Sequence, residues 1–215
     1  MASFNGFPVA ALDFYDDLEM DNTKSFWEAN KHVYHESVRA PMLALIEALS
    51  DEFSSPGGRT TVFRPYRDVR FAKDKTPYKT HQGAYVGVGP ATGWYVEISP
   101  AGLRTSAGFY EASGTRLAAY REAVAHERFG PELEALVAGL EGRGFEVGGD
   151  TLKTHPRGFD ADHPRIALLR HKSLTLGRQH GFGPEIHTAT ALDLVRDDWR
   201  SLRPLVEWAQ RHVQD

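Results

Sequence analysis

Residues 83 to 110 contain the pattern that most constrains the fold of this chain. Within it, WYVEI places Trp94, Val96 and Ile98 on one side of an extended chain, with polar side chains between them on the other. A period of two is typical of a half-buried β-strand. Because GPATG and SPAG supply turn residues between the alternating stretches, we expect an antiparallel meander here.

Helical periodicity flanks this predicted sheet on both sides. Between residues 24 and 53 apolar side chains recur at about 3.6 residues. Asn22 or Thr23 can cap the start of this helix, and Pro41 predicts a kink or a break because it lacks an amide donor. Further helices are predicted over residues 8 to 19, from about residue 115, from about residue 131 and at the C-terminus.

The sequence therefore predicts one α+β domain over residues 1 to 215, with a central antiparallel β-meander flanked by N-terminal and C-terminal helices. Its parts are a helical region to about residue 55, a basic segment and sheet from 60 to 110, and a mostly helical region from 113 to 215. The shorter predictions are a strand over residues 60 to 66, strands at FEV and SLTLG, a short helix over residues 164 to 171, and a connecting loop at GRQHGFG, residues 177 to 183.

Composition excludes several classes of protein. The 215 residues include no cysteine, so disulfides, zinc–thiolate sites and thiol nucleophiles are excluded. Since the first 20 residues carry acidic side chains and no long apolar run, we expect no secretory signal, no membrane partner and a cytoplasmic location. The formal net charge of −4 disfavours a general affinity for nucleic acid, so any contact with a polyanion would be local.

A basic segment, FRPYRDVRFAKDKTPYK at residues 63 to 79, contrasts with this acidic balance. Three arginines and three lysines against two aspartates give it a charge of +4, so the rest of the chain carries −8. A turn near Asp68 would bring Arg67 and Arg70 round towards Arg64. Because a guanidinium can hold a carboxylate or phosphate with two parallel hydrogen bonds, the segment predicts a site for an anionic group.

The basic segment also resembles the signature of a known family. R-x-x-R-D-x-R-F followed by D-K-x-x-Y is the hallmark of the bacterial and fungal family catalogued as domain of unknown function 2461. The residues that match it are Arg64, Arg67, Asp68, Arg70, Phe71, Asp74, Lys75 and Tyr78. FNGFP, APMLALIEAL, PRGFDADHP and RPLVEW are also similar to this family. The resemblance implies a fold and a length but no reaction, because the family brings no established activity.

The candidate ligand-binding residues lie mainly in the basic segment. They are Arg64, Arg67, Asp68, Arg70, Asp74, Lys75, Tyr78, Lys79 and, from a long polar connection over residues 148 to 163, Arg157. In this hypothesis Arg67 and Arg70 bind the anion, and Asp68 holds an arginine in orientation. Tyr78 stacks on the ligand or donates a hydrogen bond. Arg157 joins the site if the connection folds over the basic segment.

The same residues admit two other interpretations. In a purely structural one, Arg64 with Asp68, or Arg70 with Asp74, forms an internal ion pair that fixes the segment to the sheet. In the other, the cations contact a nucleic-acid backbone and the tyrosines stack on bases. Phe71 is expected in the core, although with Tyr66 and Tyr78 it is one of the aromatic residues close enough to the cations to stack on bases.

No motif identifies a catalytic group, a metal or a cofactor. G-x-S-x-G, H-E-x-x-H and the phosphate-binding G-x-x-x-x-G-K-[ST] do not occur. His155, Asp160 and His163 lie close together in the sequence, but their spacing matches no metal signature, so no metal site is predicted. The leading hypothesis is a binding or enzymatic pocket for a phosphorylated or other anionic small molecule. Nucleic-acid contact and a structural network remain the alternatives.

Overall fold

The computed structural model describes residues 3 to 110 and 112 to 214. Within these residues, six antiparallel strands form one sheet in the order β1-β2-β3-β4-β6-β5. They are β1 (Thr60–Val62), β2 (Gln82–Gly89), β3 (Thr92–Ser99), β4 (Gly102–Phe109), β5 (Glu146–Gly148) and β6 (Leu174–Gly181). The meander predicted for residues 83 to 110 is confirmed as β2 to β4, and with the surrounding helices it makes an α+β fold.

Helices occupy most of the chain before and after the meander. They are α1 (Val9–Met20), α2 (Lys24–Val33), α3 (Ala40–Phe53), α4 (Gly114–Ala125), α5 (Phe129–Glu141), α6 (Ile166–Leu169) and α7 (Thr190–His212), with a 3-10 turn at Pro184–His187. Thr23 caps α2, since its hydroxyl accepts a hydrogen bond from the amide of Phe26 at 3.2 Å. The interruption predicted at Pro41 takes the form of a π-helical turn, Tyr34–Arg39, directly before α3. None of the described helices is long and apolar enough to cross a membrane.

One face of the sheet, the inner face, packs against α3 and α7. Trp94, Val96 and Ile98 point to this face and are buried, as their spacing predicted. The indole of Trp94 donates a hydrogen bond to the carbonyl of Phe53 in α3 at 3.1 Å. The same ring stacks on Trp199 of α7, with centroids 5.8 Å apart. These contacts fix the two helices across the middle of the sheet.

A buried carboxylate ties α7 to the sheet. Asp198 is 2% exposed and lies within hydrogen-bond distance of three side chains: Thr105 on β4 at 2.5 Å, and Arg178 and His180 on β6, each at 2.7 Å. The prediction of a connecting loop at residues 177 to 183 was wrong, because β4 supplies ladder partners along most of β6. Arg178 and His180 therefore belong to a strand, and both contact the buried Asp198.

Two other predictions needed correction. The strand predicted over residues 60 to 66 ends at Val62, because Pro65 offers no amide to continue the ladder with β2. The C-terminal helices are one continuous helix, α7, which includes Pro204. The FEV strand and the short helix in residues 164 to 171 are confirmed as β5 and α6.

We predict that Asp198→Ala lowers the free energy of unfolding by about 3 kcal/mol, because Arg178 and His180 lose the carboxylate they share. Urea unfolding followed by circular dichroism measures the change. Asp197→Ala is the matched control, since its side chain is 75% exposed and 3.8 Å from Arg200. We expect this control to lose less than about 1 kcal/mol. Equal losses in the two variants would contradict the role assigned to Asp198.

Candidate functional site

The basic segment leaves the sheet at its β1 edge and folds back on itself. Tyr66 and Tyr78 form an isolated antiparallel bridge. Two backbone hydrogen bonds accompany it, from Arg67 to the carbonyl of Pro77 at 2.9 Å and from Lys79 to the carbonyl of Pro65 at 2.7 Å. Residues 68 to 75 are therefore a loop that projects beyond the sheet edge.

The two arginines predicted to bind an anion pair instead with aspartates of the same loop. Arg70 donates to both carboxylate oxygens of Asp68, at 2.9 and 2.6 Å. Arg67 donates to Asp74 and to the hydroxyl of Thr76. These pairings differ from the Arg64–Asp68 and Arg70–Asp74 pairs expected from the sequence. Because the loop folds back on itself, Arg67 reaches Asp74, and Arg70 pairs with Asp68, two residues before it.

Tyr78 lies in the core, where no ligand can stack on it from solvent. Its ring is buried and stacks on Trp27 of α2, with centroids 4.5 Å apart and planes 11° apart. Asn22 holds its backbone on both sides, accepting from the Tyr78 amide at 3.1 Å and donating to its carbonyl at 3.0 Å. The placement of Tyr78 in a ligand site is therefore corrected to a structural contact with the N-terminal helices.

Phe71 lies at the surface, although the sequence predicted it to be buried. It is 96% exposed. The bridge between Tyr66 and Tyr78 explains this, because it places Phe71 in the projecting loop, away from the sheet. Lys75 in the same loop donates to the carbonyl of Val69 at 2.8 Å and so closes the loop from within.

Arg64 and Lys79 remain next to the sheet, close to Phe63. The ammonium of Lys79 lies over the Phe63 ring, 5.3 Å from its centroid. Burial, and then the charge of Arg64, lower the pKa of Lys79. Among the described residues, the side chain of Arg64 has no hydrogen-bond or ion-pair partner. Two cations thus lie at the β1 edge, and no carboxylate of the described residues lies within ion-pair distance of either.

The structure does not bring Arg157 to the basic segment. Its connection follows β5, at the edge of the sheet opposite to β1. The connection is anchored there by hydrogen bonds from Leu152 to the carbonyl of Arg170 at 2.8 Å and from Lys172 to the carbonyl of Asp150 at 2.7 Å. The condition under which Arg157 would join the candidate site is therefore not met.

The second face of the sheet, which we call the open face, carries a wide cavity. Its volume is about 1010 Å³. Its floor consists of outward-pointing side chains of the strands, chiefly Tyr85, Tyr95, Glu97, Arg104 and Ser106. One wall comes from the segment after α3, including Arg59, and another from the turn between β2 and β3 together with Tyr110. We call this feature the open-face cavity.

Glycines on the open face give the tyrosine rings room to lie across neighbouring strands. A Cβ atom on Gly93 would lie 2.7 Å from the hydroxyl of Tyr85, and one on Gly83 would collide with the hydroxyl of Tyr95. Tyr110 is fixed by its amide, which donates to the carbonyl of Ala91 at 2.8 Å. Its ring meets that of Tyr85 edge to face, with centroids 5.4 Å apart. The cavity therefore has the Tyr85 and Tyr95 rings lying over neighbouring glycines, with the Tyr110 ring at nearly a right angle to that of Tyr85.

The tyrosine hydroxyls on this face are neutral donors at physiological pH. Burial raises the pKa of Tyr85 to about 12. Burial, followed by the charge of Glu97, raises the pKa of Tyr95, which donates to Glu97 at 2.6 Å. Burial also raises the pKa of Tyr110, whose hydroxyl lies 3.0 Å from that of Ser106. The floor therefore offers hydroxyl groups without adding negative charge.

The cavity has an excess of positive charge. Arg59 and Arg104 line it with exposed guanidinium groups, and Glu97 is the one carboxylate among the described residues that line it. Arg104 lies directly opposite Glu97 in the register of β3 and β4. Nevertheless, within the described residues neither arginine has a hydrogen-bond or ion-pair partner for its side chain. Both guanidinium groups are available to an anion.

Sequence reasoning missed the aromatic and charged residues of this cavity. The period of two placed Tyr95 and Glu97 on the polar side of β3, but their neighbours Tyr85 and Arg104 come from other strands. The signal that could have found them is the combination of tyrosines and glycines on the polar side of a predicted meander. Such a face is too aromatic for a simple solvated surface and too open to be core.

We predict that Arg67→Gln raises the pKa of Asp74. The amide of Thr76, and after it the Arg67 guanidinium, lower that pKa to about 2. Because the folded pKa is lowered, the contribution of these bonds is complete at neutral pH and is lost as the pH falls through about 2. Carbon-13 NMR titration of the carboxyl groups measures this rise. We expect the pKa of Asp74 to stay below its ordinary value, because the hydrogen bond from the Thr76 amide remains.

Arg70→Gln is the control for this titration. Its guanidinium pairs with Asp68, so the pKa of Asp74 is expected to stay where it is. An unchanged Asp74 pKa in Arg67→Gln would show that the two side chains are apart in solution.

Comparison with known proteins agrees with the sequence signature. Among the described residues, no three His, Asp or Glu side chains lie close enough together to hold a metal ion. No curated protein matches the chain. One family model does match, over residues 10 to 208, and it carries the description "Conserved hypothetical protein (DUF2461)". Since this match spans nearly the whole chain, the protein belongs to the DUF2461 family of conserved hypothetical proteins.

Proposed function

We propose that the open-face cavity binds a small organic anion with a planar or apolar body, such as a phosphorylated or carboxylated aromatic compound. The observation that carries this proposal is the free guanidinium of Arg104 on a floor of tyrosine rings. Small-molecule sites typically combine apolar and aromatic walls with a few polar groups that fix orientation. The open-face cavity has both components.

The anionic group would lie on Arg104, with Arg59 as its second cation. Charged hydrogen bonds contribute about 1.5 to 3 kcal/mol each, and a guanidinium can make two of them to one carboxylate or phosphate. Glu97 lies directly across from Arg104 and would disfavour an anion placed over β3. The Glu97 carboxylate would accept a hydrogen bond from a hydroxyl or amino group of the same ligand.

The planar body would lie against the rings of Tyr85 and Tyr110. These rings meet at nearly a right angle, 88°, so they form two walls of a corner. A ligand with a planar body can stack on one wall and contact the edge of the other. Bare sulfate has no such body and is expected to bind weakly. We assign no reaction to the site.

For the basic segment we propose a structural role at Arg67 and Arg70. Each already has a carboxylate of the same loop as its partner, Asp74 and Asp68 respectively. An anion would have to displace that carboxylate from each guanidinium. The same argument does not apply to Arg64, which has no such partner among the described residues.

We predict that a nucleoside monophosphate or an aromatic carboxylate raises the melting temperature, whereas sulfate does not. At 100 times the dissociation constant a ligand adds about 2.7 kcal/mol, which is about 5 to 10 °C for a chain of this size. Thermal shift and calorimetry measure the effect. Arg104→Gln is expected to weaken binding at least about tenfold, since the loss of one charged hydrogen bond is worth that factor.

Arg157→Gln is the matched control, because it removes the same charge from an exposed arginine in the connection that follows the edge strand β5, away from the cavity. It is expected to bind like the unmodified protein. The proposal would be wrong if no compound of either class stabilised the protein, or if Arg104→Gln bound as tightly as Arg157→Gln.

A further inference from the structure

The open-face cavity does not end at the sheet edge. A second hollow of about 510 Å³ lies across β1 and is lined by Thr61, Val62 and Arg64. The two hollows share three lining residues: Arg59, Phe63 and Tyr85. Together they form one groove that runs from the middle of the open face to the start of the basic segment.

Cations without carboxylate partners follow this groove. Arg104 lies on its floor, Arg59 at the junction of the two hollows, and Arg64 at its outer end. Within the described chain none of the three guanidinium groups makes a hydrogen bond or an ion pair. Lys79 adds a fourth cation beside Phe63. The positive charge is therefore spread along the groove instead of being gathered at one point.

Aromatic rings line the groove together with these cations. Tyr110 and Tyr85 line the same hollow as Arg104, and the ammonium of Lys79 lies over the ring of Phe63. From β4 to β1 the groove crosses three gaps between neighbouring strands, or about 14 Å. This length exceeds what one phosphate group can bridge. A ligand that used all the cations would need several anionic groups in a row.

We infer that the groove binds a short single strand of nucleic acid, with one base in the open-face cavity and the following phosphates on Arg59 and Arg64. Alternation of cations with aromatic rings is how proteins hold single strands, because rings stack on bases while cations follow the backbone. The inference rests on the proposed function, since the cavity has to accept the first nucleotide. It adds that the ligand continues over the β1 edge.

The remainder of the molecule limits how much nucleic acid binds. With a net charge of −4, the surface outside the groove repels a long polyanion. A paired duplex cannot place a base in the cavity, since its bases are stacked inside the helix. Specificity for a short unpaired strand, such as an end or a loop, follows from both restrictions.

Calorimetry with unlabelled thymidine monophosphate and the tetranucleotide dT4 tests this inference. We expect dT4 to bind at least about tenfold more tightly than the mononucleotide. Since dT4 has three phosphodiesters, the logarithm of its affinity should fall with the logarithm of salt concentration with a slope of about −2. A blunt duplex of about 15 base pairs, long enough to remain paired, should compete poorly.

Paired variants locate the binding. R64Q/K79Q should lower the affinity for dT4 to that of the mononucleotide and leave mononucleotide binding unchanged. R70Q/K73Q removes the same charge from the projecting loop outside the groove and should change neither affinity. If R64Q/K79Q does not fold, as judged by its melting curve, Arg64→Gln alone provides a second variant, because its side chain is exposed and lines only the outer hollow.

The possible results separate the two proposals. Equal affinities for dT4 and the mononucleotide, or an equal loss in R70Q/K73Q and R64Q/K79Q, would overturn the single-strand inference and leave the cavity proposal in place. Binding of an aromatic carboxylate through Arg104, with no binding of either nucleotide, would also overturn the single-strand inference and leave the cavity proposal in place. Failure of every planar anion to bind would overturn both proposals.

Discussion

The structure depends on the one-sided packing of its sheet. Trp94 and Trp199 stack across the inner face, and the buried Asp198 binds α7 to β4 and β6. With its apolar side chains committed to that face, the meander turns every second residue outward. No described helix covers those outward residues around Tyr95 and Arg104, so the fold itself leaves a walled surface open to solvent. The candidate site is a direct result of this asymmetry.

Electrostatics divide the cations of this region into two sets. Within the projecting loop, Arg67 and Arg70 each have a neighbouring aspartate and contribute to the shape of the loop. Along the groove, Arg59, Arg64 and Arg104 have no carboxylate partner among the described residues. Since these guanidinium groups are not already paired with a carboxylate, the second set is where an anionic ligand would gain most. The binding surface that we propose is therefore not the part of the sequence in which charge is most dense.

The sequence predicted the fold better than the site, for a physical reason. Strand and helix periodicities are local, so the meander and most helices followed from them. A site assembled from Tyr85, Arg104 and Tyr110 depends on strand register and turn geometry, which no local pattern encodes. The basic segment stood out only because its residues are contiguous. Tyr78 was expected in a ligand site and is buried, whereas Phe71 was expected in the core and is exposed. The bridge between Tyr66 and Tyr78 decides which part of the segment packs against the core.

A crystal structure of the protein soaked with thymidine monophosphate would show whether the open-face cavity binds a planar anion. We expect density for the base against Tyr85 and Tyr110, with the phosphate on Arg104 or Arg59. Density for the phosphate on Arg67 or the neighbouring loop, with the open face unoccupied, would contradict this expectation.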